Sequence, residues 1–442
     1  MKNKIKLLSL IIIMLFHVQA YSEELSYKTI DDYNVFNEDS FYSYIQQIVI
    51  TQPEFLESVS KQKEINEDRK FATRLRFPTI TASLVNDESI SRDVSDNLSL
   101  RKRQDDSFDG VISLDQPLYV GGSINSKVKI AKARLKKSKE ELNSVASELI
   151  ITAVEIYLET VKADMLSSFA KKELDKLLIF REQIEKRFQA GAVDSSEKAL
   201  VNIRLSELEA QEAILKSKKI QQLAVYQSFF KETFVNQGLP QIEIQSVNNN
   251  QGYYSKRLSY EEKIAKLEIE NQEYQVNLTK SNYRPKLGVS LKYKKYDLDD
   301  NQSKDEDIRG GVYFSVPLLN FGRGTAEINA SKARLHQSKV NYDRANRDVD
   351  YQIASAQGNV VGLNEARNKI LSSLKNIRIQ KKNLELRLSS GSNFTAVTII
   401  DVTNQEVDIL RQLLDTEQTL MLSELRSNHL ETSLLSRFKI AL

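Results

Sequence analysis

The chain has 442 residues, a formal charge of +3 and no cysteine. It therefore has no disulfide bond, no thiolate metal site, no catalytic thiol and no cysteine for a bacterial lipid anchor. Its 63 basic residues are nearly balanced by 60 acidic ones, with both signs interspersed. Because a nucleic-acid partner requires a clustered basic excess, we expect no nucleic-acid binding.

Residues 1–20 have the features of a secretory signal peptide. Lys2, Lys4 and Lys6 form a basic start, the run from Leu7 to Phe16 is apolar, and Val18-Gln-Ala20 is a small-x-small cleavage site. The alternative is a membrane anchor, but the apolar run is shorter than the roughly 20 residues that a spanning helix needs. We expect cleavage after Ala20 and export of the rest of the chain.

The chain nearly repeats itself at an offset of 200 residues. The matching positions are Gly110, Pro117, Leu118 and Gly122 with Gly310, Pro317, Leu318 and Gly322, and Glu185, Arg187 and Gly191 with Glu385, Arg387 and Gly391. We therefore predict two structural repeats, at residues 21–240 and 241–442. Each is expected to contain a helix, a β-hairpin and a long helical hairpin.

Two pairs of short segments alternate between apolar and polar residues. The apolar set is Ile80, Ala82, Leu84, Ile112, Leu114, Leu287, Val289, Leu291, Tyr293, Val312, Phe314 and Val316. About ten residues of such alternation are what one transmembrane β-strand requires. A half-buried strand of a small soluble sheet is the alternative, but little globular sequence surrounds these segments. Four strands cannot close a barrel, for which about eight are needed, so several chains would have to associate; three would supply twelve strands.

Long segments with few or no helix-breaking residues follow the strand pairs. The first runs from Ser123 to about Phe188, a length of about 100 Å as one helix. Small or apolar residues recur along it at spacings of four and three, from Leu142 to Phe188, which predicts close packing of several helices. The second copy has a similar run from Thr325 to Leu388, interrupted only by Gly358 and Gly362. Turns at Gly191 and Gly391 are expected to lead into return helices over 195–233 and 395–440. A rod-like scaffold without a transport role would contain the same helices.

These features together resemble the TolC-like outer-membrane efflux and secretion channels. The matching segments are Gln52-Pro-Glu54, Phe77-Pro78, Gln116-Pro-Leu-Tyr-Val-Gly-Gly122, Arg187-Phe-Gln-Ala-Gly191, Arg284-Pro285 and Val316-Pro-Leu-Leu-Asn-Phe-Gly322. Their order and duplication, over residues 40–440, carry the resemblance more than any single motif does.

The resemblance implies a mainly α fold with a small membrane β-barrel contribution. Three copies would form a twelve-stranded barrel in the lipid of the outer membrane, continuous with a long α-helical barrel in the periplasm. Such channels are passive exit ducts of tripartite efflux pumps or type I secretion systems. They open when an inner-membrane transporter and a periplasmic adaptor protein dock.

The resemblance also suggests residues at the channel entrance. Members of the family commonly carry an acidic residue after the turn glycine, and Glu197 and Asp401 are the candidates here. A surface salt bridge is the alternative role for Glu197. A helix cap is the alternative for Asp401, because Thr398-Ile-Ile-Asp401 resembles a capping box.

Adaptor contact is expected at the tips of the two helical hairpins. Arg187 and Gly191 mark the first tip, and Arg387 and Gly391 mark the second. The family also places the linker between the copies and the C-terminal end in a belt midway along the helices.

No pattern in the sequence predicts catalysis, a cofactor or a metal site. Beyond His17 in the signal peptide, the histidines are His336 and His429, which lie on predicted helices outside any known motif. We therefore predict that the protein is not an enzyme. A periplasmic adaptor would have a single hairpin inserted between β-rich domains, so the duplicated strand pairs argue against it.

Overall fold

The computed structural model describes residues 36–88, 106–240, 242, 258–296, 298, 306–389 and 396–442. The predicted signal peptide, the linker at residues 243–257 and the turn residue Gly391 lie outside the described residues. The described residues include both strand pairs and the long helices.

The first copy runs in the predicted order of helix, strand pair and helical hairpin. Its elements are α1 (Glu38–Val49), α2 (Pro53–Arg74), β1 (Thr79–Glu88), β2 (Asp106–Val120), α3 (Ser123–Gln189) and α4 (Ser195–Phe230). α2 begins with proline at its first turn, where the missing N–H would have had no helical partner. α3 has 67 residues, which confirms the single helix predicted from the long run without proline or glycine.

The second copy repeats this order. Its elements are α5 (Tyr260–Ser281), β3 (Lys286–Lys295), β4 (Glu306–Ser315), α6 (Arg323–Ser389), α7 (Ala396–Leu430) and α8 (Leu434–Arg437). The prediction that the last helix continues to residue 440 was wrong. Thr432 takes a left-handed conformation with φ of 56°, which ends α7 and allows the short helix α8 to start in a new direction.

The four strands form one antiparallel sheet in the order β1-β2-β3-β4. The two copies are thus joined through the β2–β3 pair. Within the described residues, β1 and β4 each have a neighbour on one side only, so both outer edges of the sheet present unpaired backbone groups.

The strand pairing confirms the predicted alternation of faces. Ile80 lies opposite Leu114, which lies opposite Leu291, so apolar side chains share one face across three strands. The other face is polar, as shown by Thr81, whose hydroxyl lies 2.6 Å from that of Ser113. The apolar side chains are nevertheless open: Ile80 is 67% exposed in the single chain. A contiguous exposed apolar face of this kind indicates contact with a membrane or another apolar partner.

The helices lie side by side in a continuous layer. Next to the sheet, α3 packs between α2 and α5, and α6 packs on the other side of α5. Farther away, α3 packs between α4 and α7, and α6 packs on α7. The predicted seam of α3 is enclosed by these neighbours, with Ala146, Ala153 and Ala170 fully buried. No helix within the described ranges is both long and apolar enough to cross a membrane.

An aromatic core surrounds the middle of α3. The ring of Tyr157 lies 5.2 Å from that of Phe41 in α1, and the ring of Phe438 lies 4.4 Å from that of Tyr42. Arg437 adds a contact of 3.5 Å to the carboxylate of Glu38. The C-terminal end therefore packs on α1 near the midpoint of the long helix, as expected for the belt.

Candidate functional site

The first helical hairpin ends in a tight turn at Gly191. The Gly191 N–H donates to the carbonyl of Phe188 at 3.0 Å, and the Ala192 N–H donates to that of Arg187 at 2.9 Å. Gly191 itself has φ of +69°, in the left-handed region that favours glycine. The first hairpin thus turns at the Arg187–Gly191 segment.

Glu197 lies in the first turn of α4, directly after this tip. Its backbone N–H donates to the Asp194 carboxylate at 2.7 Å, so Asp194 caps the helix. A carboxylate is favoured in a first helical turn by the partial positive charge of the exposed N–H groups. The neighbouring Lys198 binds Glu185 at 2.7 Å and joins the two arms of the hairpin next to its tip.

Asp401 forms an ion pair between the two hairpins. Its Oδ1 lies 3.2 Å from Nε of Arg204 in α4. α7 begins at Ala396, so Thr398 already lies within the helix and Asp401 lies in the second turn. The capping role considered for Asp401 is therefore wrong. The Arg204 guanidinium beside Asp401 would offset its negative charge in a ring of carboxylates at the channel entrance.

The second tip is only partly described. Arg387 is exposed near the end of α6 and makes contacts with the rest of the chain. The structure does not bring Arg187 and Arg387 into a common contact among its described interactions, so their shared role at the tips stays a prediction. The same holds for Gly391, which lies outside the described residues.

Gly191→Ala is expected to destabilise the first tip by about 1–2 kcal/mol, because a Cβ is unfavourable in the left-handed region. No atom lies within 4 Å of the position that this Cβ would occupy, so backbone strain is the source of the cost. The measurement is the rate of proteolytic cleavage at the tip of the purified protein, which reports local opening. Gly191→Asn is the control and should be cleaved more slowly than the alanine variant. Equal rates for wild type and alanine would contradict a strained turn.

Above the tips, a buried cation joins three helices. Nζ of Lys381 in α6 lies 2.5 Å from Oε2 of Glu173 in α3 and 2.8 Å from Oε2 of Glu406 in α7. The three side chains are 10%, 4% and 6% exposed, respectively. Lys176 and Arg378 at the margin bind the remaining carboxylate oxygens, at 2.7 and 3.1 Å. We call these five side chains the charge cluster.

Glu173 and Lys381 stay ionised at neutral pH despite their burial. Burial by itself raises the pKa of Glu173, but the Lys381 and Lys176 ammonium groups together outweigh this effect and hold the pKa below its usual value. Burial also lowers the pKa of Lys381, but Glu406 and Glu173 more than compensate and the pKa is raised. At neutral pH the cluster is therefore an ionic tie between the first hairpin and the second.

Sequence reasoning missed this cluster, although part of the signal is present. Leu374, Ile377 and Leu384 follow a heptad spacing in which Lys381 occupies the position between the last two. A lysine in an apolar seam predicts a buried partner. The partner Glu173 is 208 residues away, however, and no local pattern identifies it.

His429 is a half-buried ionisable side chain at a helix interface. Its Nδ1 lies 2.7 Å from the Ser147 hydroxyl, and burial lowers the pKa of the imidazole. The neutral ring packs against Tyr260 at a centroid distance of 5.6 Å. Within the described ranges, no three His, Asp or Glu side chains are placed to hold a metal ion together. The described chemistry of this region is that of helix packing.

Solved structures share this fold. The chain is similar to the CmeC outer membrane channel of Campylobacter jejuni, with a TM-score of 0.78 and 13% identity over 94% of this chain and 93% of that one. It is also similar to the outer membrane protein VceC of Vibrio cholerae, with a TM-score of 0.71 and 15% identity over 89% of this chain and 96% of that one. The open MtrE outer membrane channel of Neisseria gonorrhoeae gives a TM-score of 0.71 and 14% identity, over 90% of each chain.

The sequence itself also matches a known family. No curated protein matches the chain significantly. Residues 44–227 and 263–423 match the family described as outer membrane efflux protein, and the two segments correspond to the two copies of the fold. The chain belongs to the outer membrane efflux protein family.

Proposed function

We propose that this protein is the outer-membrane exit duct of a tripartite efflux pump or a type I secretion system. The observation that carries the proposal is the four-stranded sheet, which has an apolar outer face and two open edges. Each of its strand pairs leads directly into a helix of 67 residues. A sheet joined to helices of about 100 Å suits a conduit that crosses both a membrane and the periplasm.

The open edges require a partner with the same sheet. Unpaired backbone groups are too costly in the hydrocarbon of a bilayer, so membrane sheets close into barrels. A heterologous contact between β4 of one copy and β1 of the next generates a ring. Three copies would give twelve strands and a homotrimer, which exceeds the roughly eight strands that closure needs.

The same ring would place the helical hairpins around a periplasmic channel. In the trimer the tips at Arg187 and Gly191, together with those at Arg387 and Gly391, form the end that meets a periplasmic adaptor and an inner-membrane transporter. Rings of carboxylates at such a constriction bias ion passage. Glu197 is the better candidate for this role, because Arg204 compensates the charge of Asp401.

The proposal assigns transport without catalysis. The chain would provide a passive route, and the partner transporter would supply the energy. The proposal includes export directed by the predicted signal peptide and two repeats at residues 21–240 and 241–442. It also includes contact with outer-membrane lipid and no binding of nucleic acid. The known channels of similar fold, including CmeC and MtrE, support its membrane location.

The oligomeric state provides the test. We expect protein extracted from the outer-membrane fraction to need detergent and to have three times the mass of one chain in size-exclusion light scattering. A monomer that is released without detergent would leave the sheet unable to close. That result would overturn the channel and favour a soluble rod in the cell envelope.

A further inference from the structure

The apolar face of the sheet contains a pocket of about 460 Å³. It lies over β1, β2 and β3, and its lining residues are Ala82, Ser83, Leu84, Gly110, Val111, Ile112, Tyr293, Lys295 and Leu298. This volume is within the range of about 300–1,000 Å³ typical of ligand pockets. Most of the lining is apolar, so the pocket suits a hydrocarbon chain.

Two small residues create the pocket. Ala82 and Gly110 are diagonal neighbours across the β1–β2 pair, and they leave a depression between larger side chains of the same face. Leu298 closes one side, because its N–H donates to the carbonyl of Phe108 at 2.8 Å and holds the chain after β3 against β2. A Cβ added to Gly110 would lie only 3.0 Å from Leu298 Cδ1, which shows how closely the two approach.

A single ammonium group lies at one end of the pocket. Lys295 follows Tyr293 by two residues in β3 and therefore lies on the apolar face, where a charged residue is unusual. Glu306 faces it in the β3–β4 register. Among the described residues, however, no carboxylate lies within ion-pair distance of the Lys295 ammonium, which is thus available to an external anion.

The position of Lys295 corresponds to the outer surface of the membrane. β3 ends at Lys295 and continues into the loop toward β4, whereas β2 and β4 lead at their other ends into α3 and α6. If the helices extend into the periplasm, as in the proposed function on which this step rests, the loop end faces the cell exterior. A basic side chain at this level meets the headgroups of the outer leaflet.

We propose that this pocket is a lipid-binding site. It takes an acyl chain of an outer-leaflet lipid along Ala82 and Gly110, with a phosphate of the same lipid beside Lys295. A second copy of the chain is not the occupant, because ring closure uses the edges of β1 and β4 and leaves this outward face open. The depression accounts for binding of the acyl chain. The Lys295 ammonium, which has no ion-pair partner among the described residues, accounts for the preference for an anionic headgroup.

The test compares two lipids that share a palmitoylglycerol unit and differ in a phosphate group. Detergent-purified oligomer would be titrated with palmitoyl lysophosphatidic acid or with monopalmitoylglycerol, and bound lipids would be counted by native mass spectrometry. Wild type is expected to bind the phosphate-bearing lipid more tightly. Lys295→Gln should reduce that preference about fivefold, because one basic group near a membrane surface contributes on this scale. Ala82→Phe should fill the pocket and abolish the tight binding of both lipids.

Matched substitutions separate the pocket from general lipid contact. Ile80→Phe enlarges an apolar side chain on the same strand and face but outside the pocket, and Lys286→Gln removes a charge from the other end of β3. Both should bind lipid as wild type does. If Ala82→Phe and Lys295→Gln also bind as wild type, the lipid site is overturned while the channel stands. A soluble monomer that needs no detergent would overturn both proposals.

Discussion

Lys381→Met is expected to destabilise the protein by about 3–5 kcal/mol, since it leaves two buried carboxylates without their shared cation. Glu173 and Glu406 are 4% and 6% exposed and each lies within 2.8 Å of the Lys381 ammonium. Methionine preserves most of the side-chain volume, so loss of the charge dominates the cost. The free energy of unfolding would be measured by urea titration in detergent with far-UV circular dichroism.

Lys176→Met is the matched control for this substitution. Lys176 also binds Glu173, at 2.7 Å, but its side chain is 51% exposed. Exposed ion pairs contribute about 0–1 kcal/mol, so this variant should lose little stability. Replacing Glu173 and Glu406 with glutamine in the Lys381→Met background should recover part of the loss, because neutral amides are cheaper to bury than carboxylates. An equal loss for the two lysine variants would show that burial of the cation is unimportant.

The pH dependence provides a second readout of the same cluster. The pKa of Glu173 is lowered in the folded state, so its stabilising contribution is present above the pKa of the unfolded chain, about 4.3. This contribution is lost as the pH falls through the lower folded-state value. In Lys381→Met the buried carboxylates have lost their shared cation, so their protonation should reduce the destabilisation of this variant. Burial without the cation raises the pKa of Glu173 in the variant above the unfolded value of about 4.3, so the difference in stability between wild type and variant should begin to narrow above that pH and continue to narrow as the pH falls below it.

The sequence predicts most of the fold because its main signals are local. Alternation over about ten residues determines which side chains of a strand share a face, and Leu287, Val289 and Leu291 indeed share one. The absence of proline and glycine after Ser123 predicts a helix that the structure confirms to Gln189. The end of α7 was predicted incorrectly because Thr432 breaks the helix through its backbone conformation, and threonine is not a typical residue for that region.

Contacts between the hairpins could not be predicted in the same way. Asp401 and Arg204 are on different hairpins, as are Lys381 and Glu173. Their pairing depends on the axial register of helices about 100 Å long, and a shift of one turn, about 5.4 Å, would break it. Lys381 is an example: its position in an apolar seam predicts that it is buried, but no local pattern identifies the carboxylates that bind it.

The charge cluster fixes the axial register of the helices, which the apolar seams alone do not fix. Leucine and alanine packing tolerates sliding by a heptad, since similar residues then meet again. One lysine held between carboxylates of two other helices does not tolerate it, because the sliding would leave buried charges unpaired. The cluster thus selects one register for α3, α6 and α7, and a single register keeps the tips of both hairpins at fixed heights.

Leu291→Lys is expected to weaken assembly in the membrane by about 2–4 kcal/mol, the cost of a lysine on the lipid-facing side of a barrel near the bilayer midplane. Leu291 lies in the middle of β3, opposite Leu114 and Gly310 on the apolar face. Val289→Lys should act in the same direction. The measurement is the fraction of oligomer in the outer-membrane fraction as detergent and temperature are increased.

Ser290→Lys is the control for Leu291→Lys, because it places a lysine on the other face of the sheet. Ser290 is adjacent to Leu291 but belongs to the polar face, opposite Asp115 in β2 and Gly311 in β4. If that face lines a water-filled channel, a lysine there should leave assembly nearly unchanged. If Leu291→Lys and Ser290→Lys weaken assembly equally, neither face of the sheet contacts water. The sheet would then not line a water-filled barrel. Normal assembly of Leu291→Lys would show that the apolar face does not contact lipid, and the open edges of β1 and β4 would then need a partner outside the membrane.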